Sequence, residues 1–198
     1  MSIVRKTGLL VPLAALGLAG CGINSVPTAE EQVNAEFGNL QAEYQRRNDL
    51  IGNLVETVQA SAEREESTLT QITEARARAT STQLSPEQLD DPEAVRAYGE
   101  AQAGLSGARS LLGTVIMERY PELQSQQRYA DLMTQLEGTE NSILVARRDY
   151  NEAVRNYNTT IRTFPDAIGA KVIHGAEPKV PFEAASGADV APTVEFDQ

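Results

Sequence analysis

Residues 132–165 read LMTQLEGTENSILVARRDYNEAVRNYNTTIRTFP, and the fold follows from this stretch. Before its closing Pro165 it holds no Pro and no Asn-Gly break, and its only Gly is Gly138. Tyr150, Val154, Tyr157, Ile161 and Phe164 recur at steps of four and three, the spacing that returns side chains to one helix face. A second row has the same steps: Glu140, Leu144, Arg147, Asn151, Val154 and Asn158. It mixes charges and amides with apolar residues. Both rows lie along one side of a long helix, so a partner must cover that side. This is helix-packing chemistry rather than catalytic chemistry.

Working outward, Val33, Phe37, Leu40, Tyr44, Ile51, Leu54, Val58, Leu69 and Ile72 step mostly by three, four or seven. The pattern lasts roughly 50 residues, about 75 Å if straight. Thr28 with Glu31 fits a capping box at its start, after a short polar tether over residues 22–27. Gly52 is the expected bend, because Gly is a poor helix former. Arg47 stands inside the row between Tyr44 and Ile51, as Arg147 does in the later one. Ser85 before Pro86 and Asp91 before Pro92 read as N-caps followed by Pro at the first helical position. A second long helix is expected over residues 92–119, its face formed by Tyr98, Ala101, Leu105, Ala108, Leu112 and Val115. Gly99, Gly104, Gly107 and Gly113 weaken it, and close backbone approach to a neighbour is the expected compensation, with a functional hinge as the alternative. Tyr120 before Pro121 ends it. The third helix spans residues 126–163.

Connections this short imply antiparallel neighbours. The expected fold is all-α, an antiparallel up-and-down bundle of three long helices over residues 28–165, or four if the first is broken near Gly52. Residues 166–198 lack a helical period and are expected to form an irregular C-terminal tail, with apolar anchors at Phe182, Val194 and Phe196.

At the front, Arg5 and Lys6 precede an apolar run over residues 8–19, too short to span a bilayer but fit for a secretory signal. Leu18, Ala19, Gly20 and Cys21 resemble the bacterial lipobox, in which the signal is cut before a lipidated Cys. Residues 1–20 are therefore expected to be a cleaved lipoprotein signal peptide, and Cys21 the lipidation site. Several acyl chains hold a protein stably where one does not. The expected location is the bacterial cell envelope, on the periplasmic side of the outer membrane in a diderm host, since Gly22 replaces the Asp of inner-membrane retention. Removing residues 1–20 takes two basic residues and no acidic ones, leaving 15 basic against 28 acidic, a net charge of −13. Such a domain is a poor candidate for nucleic acid or for anionic lipid headgroups. Cys21 is the only Cys, so no internal disulfide is available.

Catalytic constellations are scarce. His174 is the only His, which rules out histidine-based zinc sites and the Glu-x-x-His pairs of di-iron bundles. No phosphate-binding Gly loop or nucleophile elbow occurs. Glu137 and Glu140 share a helix face, an arrangement more typical of a solvated surface than of a metal site; no metal and no cofactor is expected. The polar residues on or beside the apolar rows are the candidate site: Arg47, Asn53, Glu140, Asn141, Arg147, Asn151 and Asn158. They read as an interhelical polar network between the first and third helices, which must be nearly complete because an unpaired buried polar group costs about 1–3 kcal/mol. Its expected use is to fix register; the alternative is a small-ligand or enzyme site around Arg47, Glu140 and Arg147.

Several runs, taken together and in order, resemble the LemA family: Cys21-Gly22-Ile23-Asn24, then residues 45–51 (QRRNDLI) and 53–58 (NLVETV), then Tyr120-Pro121-Glu122-Leu123. Thr139-Glu140-Asn141, Ala146-Arg147, Tyr150-Asn151, Val154, Tyr157-Asn158, Phe164-Pro165, Phe182-Glu183, Val194 and Phe196 continue the match. Gly52 stands where the family usually has Pro, and Phe37 where it usually has Trp. The resemblance implies a helical bundle tethered to the bacterial envelope and supplies no enzymatic activity. It implies instead a part that binds another envelope protein. Together with the lipobox, this gives the expectation of a membrane-anchored, non-enzymatic scaffold whose partner is an envelope protein, with self-association through the Gly-rich helix as a further possibility.

Overall fold

The computed structural model describes residues 21–60 and 66–183. Within them the elements are α1 (Cys21–Gln59), α2 (Glu66–Ser81), a 3-10 turn (Pro86–Gln88), α3 (Pro92–Arg119), α4 (Pro121–Gln124), α5 (Gln127–Thr160), α6 (Asp166–Gly169) and a π-helical turn (Ala170–His174). The expectation of an all-α bundle holds, and no strand forms among the described residues.

The long helices are four, and the first reversal is not at Gly52. α1 runs unbroken to Gln59, and α2 returns along it. Gly52 serves this return: Arg76 of α2 lies over it and donates from Nε to the Asn48 carbonyl at 3.0 Å. A Cβ at Gly52 would stand 3.0 Å from Arg76 Nη2. α3 then runs parallel to α1, and α5 antiparallel to both, giving up-down-up-down order.

The expected cap at Thr28 is absent. The chain is already helical at Cys21 and passes through Pro27, so the residues expected as a tether belong to α1. Thr28 donates its hydroxyl back to the Asn24 carbonyl at 2.7 Å, the i−4 bond a helical Thr makes. The cap at Asp91 is present: its side chain accepts from Glu93 N at 2.9 Å, with Pro92 next in the first turn. Tyr120, at φ −133°, separates α3 from Pro121 as expected.

The core divides in two along the bundle. In the upper half four helices meet, with Ile51, Leu54, Val58, Ile72, Leu105, Leu112, Ile116 and Leu136 at its centre. In the lower half α2 is missing. Its place is taken by residues 82–91, which bring Leu84 and Leu89, and by the chain after α6, which brings Phe182. Phe182 lies between Tyr98 and Tyr150, with ring centroids 6.1 and 5.1 Å away. Phe37 contacts both tyrosines.

The tail is therefore not wholly irregular. α6 and the π-turn cap the lower end, and Gly175, at φ +57°, turns the chain back upward. This left-handed conformation is open to Gly at little cost. Val194 and Phe196 lie outside the described residues, as do residues 1–20. The glycines of α3 do not mediate close packing. Nothing among the described residues lies within 4 Å of a Cβ built at Gly104, Gly107 or Gly113, and Gly99 meets only the edge of Phe182, at 3.6 Å.

Candidate functional site

The seven polar residues expected to form one network divide into a buried layer, a clamp on the tail and two surface positions. Between the two apolar cores, α1 inserts Arg47, whose side chain is 2% exposed. Its Nη1 donates to Ser106 Oγ at 2.6 Å, and its Nη2 to the Gln102 carbonyl and Oε1 at 3.1 and 2.7 Å. Glu140 of α5 supplies the counter-charge, Oε2 standing 3.6 Å from Nη1, and lies 3.7 Å from Arg109. Gln102 passes the chain of bonds on, donating to the Ala79 carbonyl at the end of α2 at 3.1 Å. One layer thus ties all four long helices. Arg47 also sits 5.1 Å from the Tyr44 ring centroid, in cation–π reach. Burial pulls its pKa down and Glu140 opposes the shift; the guanidinium keeps its charge. Its Nε has no acceptor, so the layer is nearly, not fully, satisfied.

Arg147 is not part of this layer. With Asn151 and Asn158 it holds the returning tail. Asn151 donates from Nδ2 to the Phe182 carbonyl and accepts from Phe182 N, both at 2.8 Å. Two turns further on, Asn158 repeats the pattern on Lys179, at 2.8 and 2.9 Å. A primary amide offers the same donor and acceptor pair as a peptide group, so two asparagines seven residues apart give α5 a strand-like edge. Tyr150 adds a bond from its hydroxyl to the Val180 carbonyl at 2.9 Å. Val180 N donates to the Leu89 carbonyl on the other side at 2.8 Å. Arg147 closes the clamp, donating to the Glu183 carbonyl over the Phe182 ring. Lys179, 8% exposed, reaches Glu30 of α1 at 3.4 Å. Asn53 and Asn141 are exposed and belong to neither group.

Gln102, Ser106, Arg109 and Lys179 were not among the expected site residues. The signal for two of them was present: Tyr98, Gln102, Leu105, Arg109, Leu112 and Ile116 step by four and three, and this is the face of α3 turned inward. Beside the layer, Arg109 borders a groove of about 370 Å³ between α3 and α5 that is open to solvent. No group of three or more His, Cys, Asp or Glu among the described residues has metal-binding geometry. No described helix is long and apolar enough to cross a membrane.

Comparison with known proteins gives one family and a set of relatives. The model of the LemA family matches residues 36–196. Magnetosome protein MamQ 2 and magnetosome protein MamQ 1 of Paramagnetospirillum magneticum are each 27% identical over 157 residues, 72% of this chain and 58% of theirs. Magnetosome protein MamQ of Magnetospirillum gryphiswaldense is 28% identical over 158 residues, with the same coverage. The chain thus spans little more than half the length of these curated relatives.

Proposed function

Because the chain belongs to the LemA family, we propose that it is a lipid-anchored protein of the bacterial envelope, a non-enzymatic helical scaffold for another envelope protein. The observation that carries the reading is the fate of Arg47. Its terminal nitrogens are directed to Gln102, Ser106 and Glu140 of its own chain at 2% exposure, which supports a structural role for the polar layer. A ligand-binding role for Arg47, Glu140 and Arg147 together loses its geometric basis, since Arg147 is engaged by the tail. The anchor rests on the Leu-Ala-Gly-Cys motif ending at Cys21, and the relatives named for magnetosomes accord with a place at a membrane.

Palmitate labelling followed by affinity capture from mildly solubilised membranes tests both parts. Label should enter the chain and vanish in Cys21→Ala, and the labelled protein should bring down a defined envelope protein. Label persisting in Cys21→Ala overturns the anchor. A labelled chain recovered alone overturns the scaffold reading.

A further inference from the structure

Four large apolar side chains stand in solvent at one end of the bundle: Phe164 is 67% exposed, Ile168 59%, Val172 78% and Ile173 58%. They occupy a single short segment, the connection after α5 together with α6 and the π-turn. Leu111, Met117, Leu144 and Val145 are also exposed, but only here do four such side chains fall within ten consecutive described residues, and a cluster of exposed apolar side chains marks a contact site. Its position limits what the contact can be. α6 and the π-turn pack on the start of α1: Ser25 donates to Asp166 Oδ1 at 2.8 Å, and Val26 shares its core cluster with Ile161 and Ala170. The apolar segment therefore lies beside the start of α1, at the end of the bundle that carries Cys21.

Charge points the same way. In a chain of net charge −11, this segment bears exposed Arg162 and Lys171, while its one acid, Asp166, accepts from Ser25. Large apolar side chains flanked by Arg162 and Lys171 suit the boundary between lipid headgroups and acyl chains. We infer that residues 164–173 are a second membrane contact, an apolar footing inserted into the lipid surface next to the anchor, which sets the bundle upright. The inference rests on the anchored reading above.

The chain has no Trp, so a single introduced indole reports its own surroundings. The full chain, as Phe164→Trp, as Val172→Trp and as a mid-bundle control, Leu144→Trp (64% exposed), is reconstituted into phosphatidylcholine/phosphatidylglycerol vesicles with acyl-brominated phosphatidylcholine. Flotation scores the anchor, and bromine quenching scores the footing. Both test indoles should emit at shorter wavelength and lose about half their intensity, as for a ring about 5–10 Å into the headgroup–acyl boundary. Leu144→Trp should do neither. A chain that floats with unquenched indoles at 164 and 172 overturns the footing and leaves the anchor standing. Blue-shifted but unquenched indoles overturn it in favour of cover by protein, either a second copy or the rest of the tail. A chain that neither floats nor shows quenching overturns both.

Discussion

Arg47 and Arg147 occupy equivalent places in their rows, yet one becomes the least exposed charge among the described residues and the other a clasp on a peptide carbonyl. Which fate applies depends on the third element facing each residue, and neither row contains that information. The same difficulty hid Gln102 and Arg109. Scoring α3 by apolarity favours Ala101 and Ala108, which rotates the inferred face away from the polar residues that actually point inward. The energetics are testable at this scale. Glu140→Leu leaves Arg47 buried without its counter-charge, a loss of about 3–5 kcal/mol for a closed site and nearer 3 here, because Glu140 is 25% exposed. At about 2–4 °C per kcal/mol for a chain of this size, thermal unfolding should move down by about 6–12 °C. Arg47→Met with Gln102→Leu and Glu140→Leu should recover most of that loss, since an apolar set of similar volume replaces an ion pair at little cost. A triple variant no more stable than the single one argues that the layer specifies the fold.

Among the elements, α3 and α5 were readable because their periods are long and their stops are chemical, Asp91 with Pro92 and Tyr120 with Pro121; the end of α1 at Gln59 was not, because the apolar period continues into α2. The tail was not. Nothing periodic marks residues 176–183, and their order comes from partners on α5 and at Leu89 that only the fold brings near. Asn151 and Asn158 stand out by their place on the helix, but the tail, rather than the first helix, is what they bind. Asn151→Asp keeps the acceptor for Phe182 N and turns the donor to the Phe182 carbonyl into a repulsive oxygen. In hydrogen exchange the amides of Lys179 and Phe182 should lose protection about tenfold for each bond removed, with α5 itself unchanged. Equal loss along α5 would mean that the tail unfolds only with the whole bundle.

For the whole molecule, the aromatic core ties stability to alkaline pH. Burial raises the pKa of Tyr44, Tyr98, Tyr129 and Tyr150, and pushes Tyr157 up to about 12, aided by Glu30, Asp90 and Glu177. A group whose folded pKa lies above its unfolded value, about 10 for Tyr, stabilises the fold fully below that value. The contribution is lost as pH rises past it, because the unfolded chain then binds fewer protons. Stability should be level to about pH 10 and then fall, with tyrosinate absorbance rising together with loss of helical circular dichroism. Complete ionisation near pH 10 with helices intact would remove the basis for a tightly buried cluster.

α1 is continuous from Cys21 to Gln59, 39 residues without a break, or about 58 Å at the helical rise. If its first residue is held at a lipid surface, the opposite tip becomes a gauge of fixed altitude. Whatever docks near Gln59 must then be tall enough to meet it there, so the protein selects associates by height before any side chain is consulted.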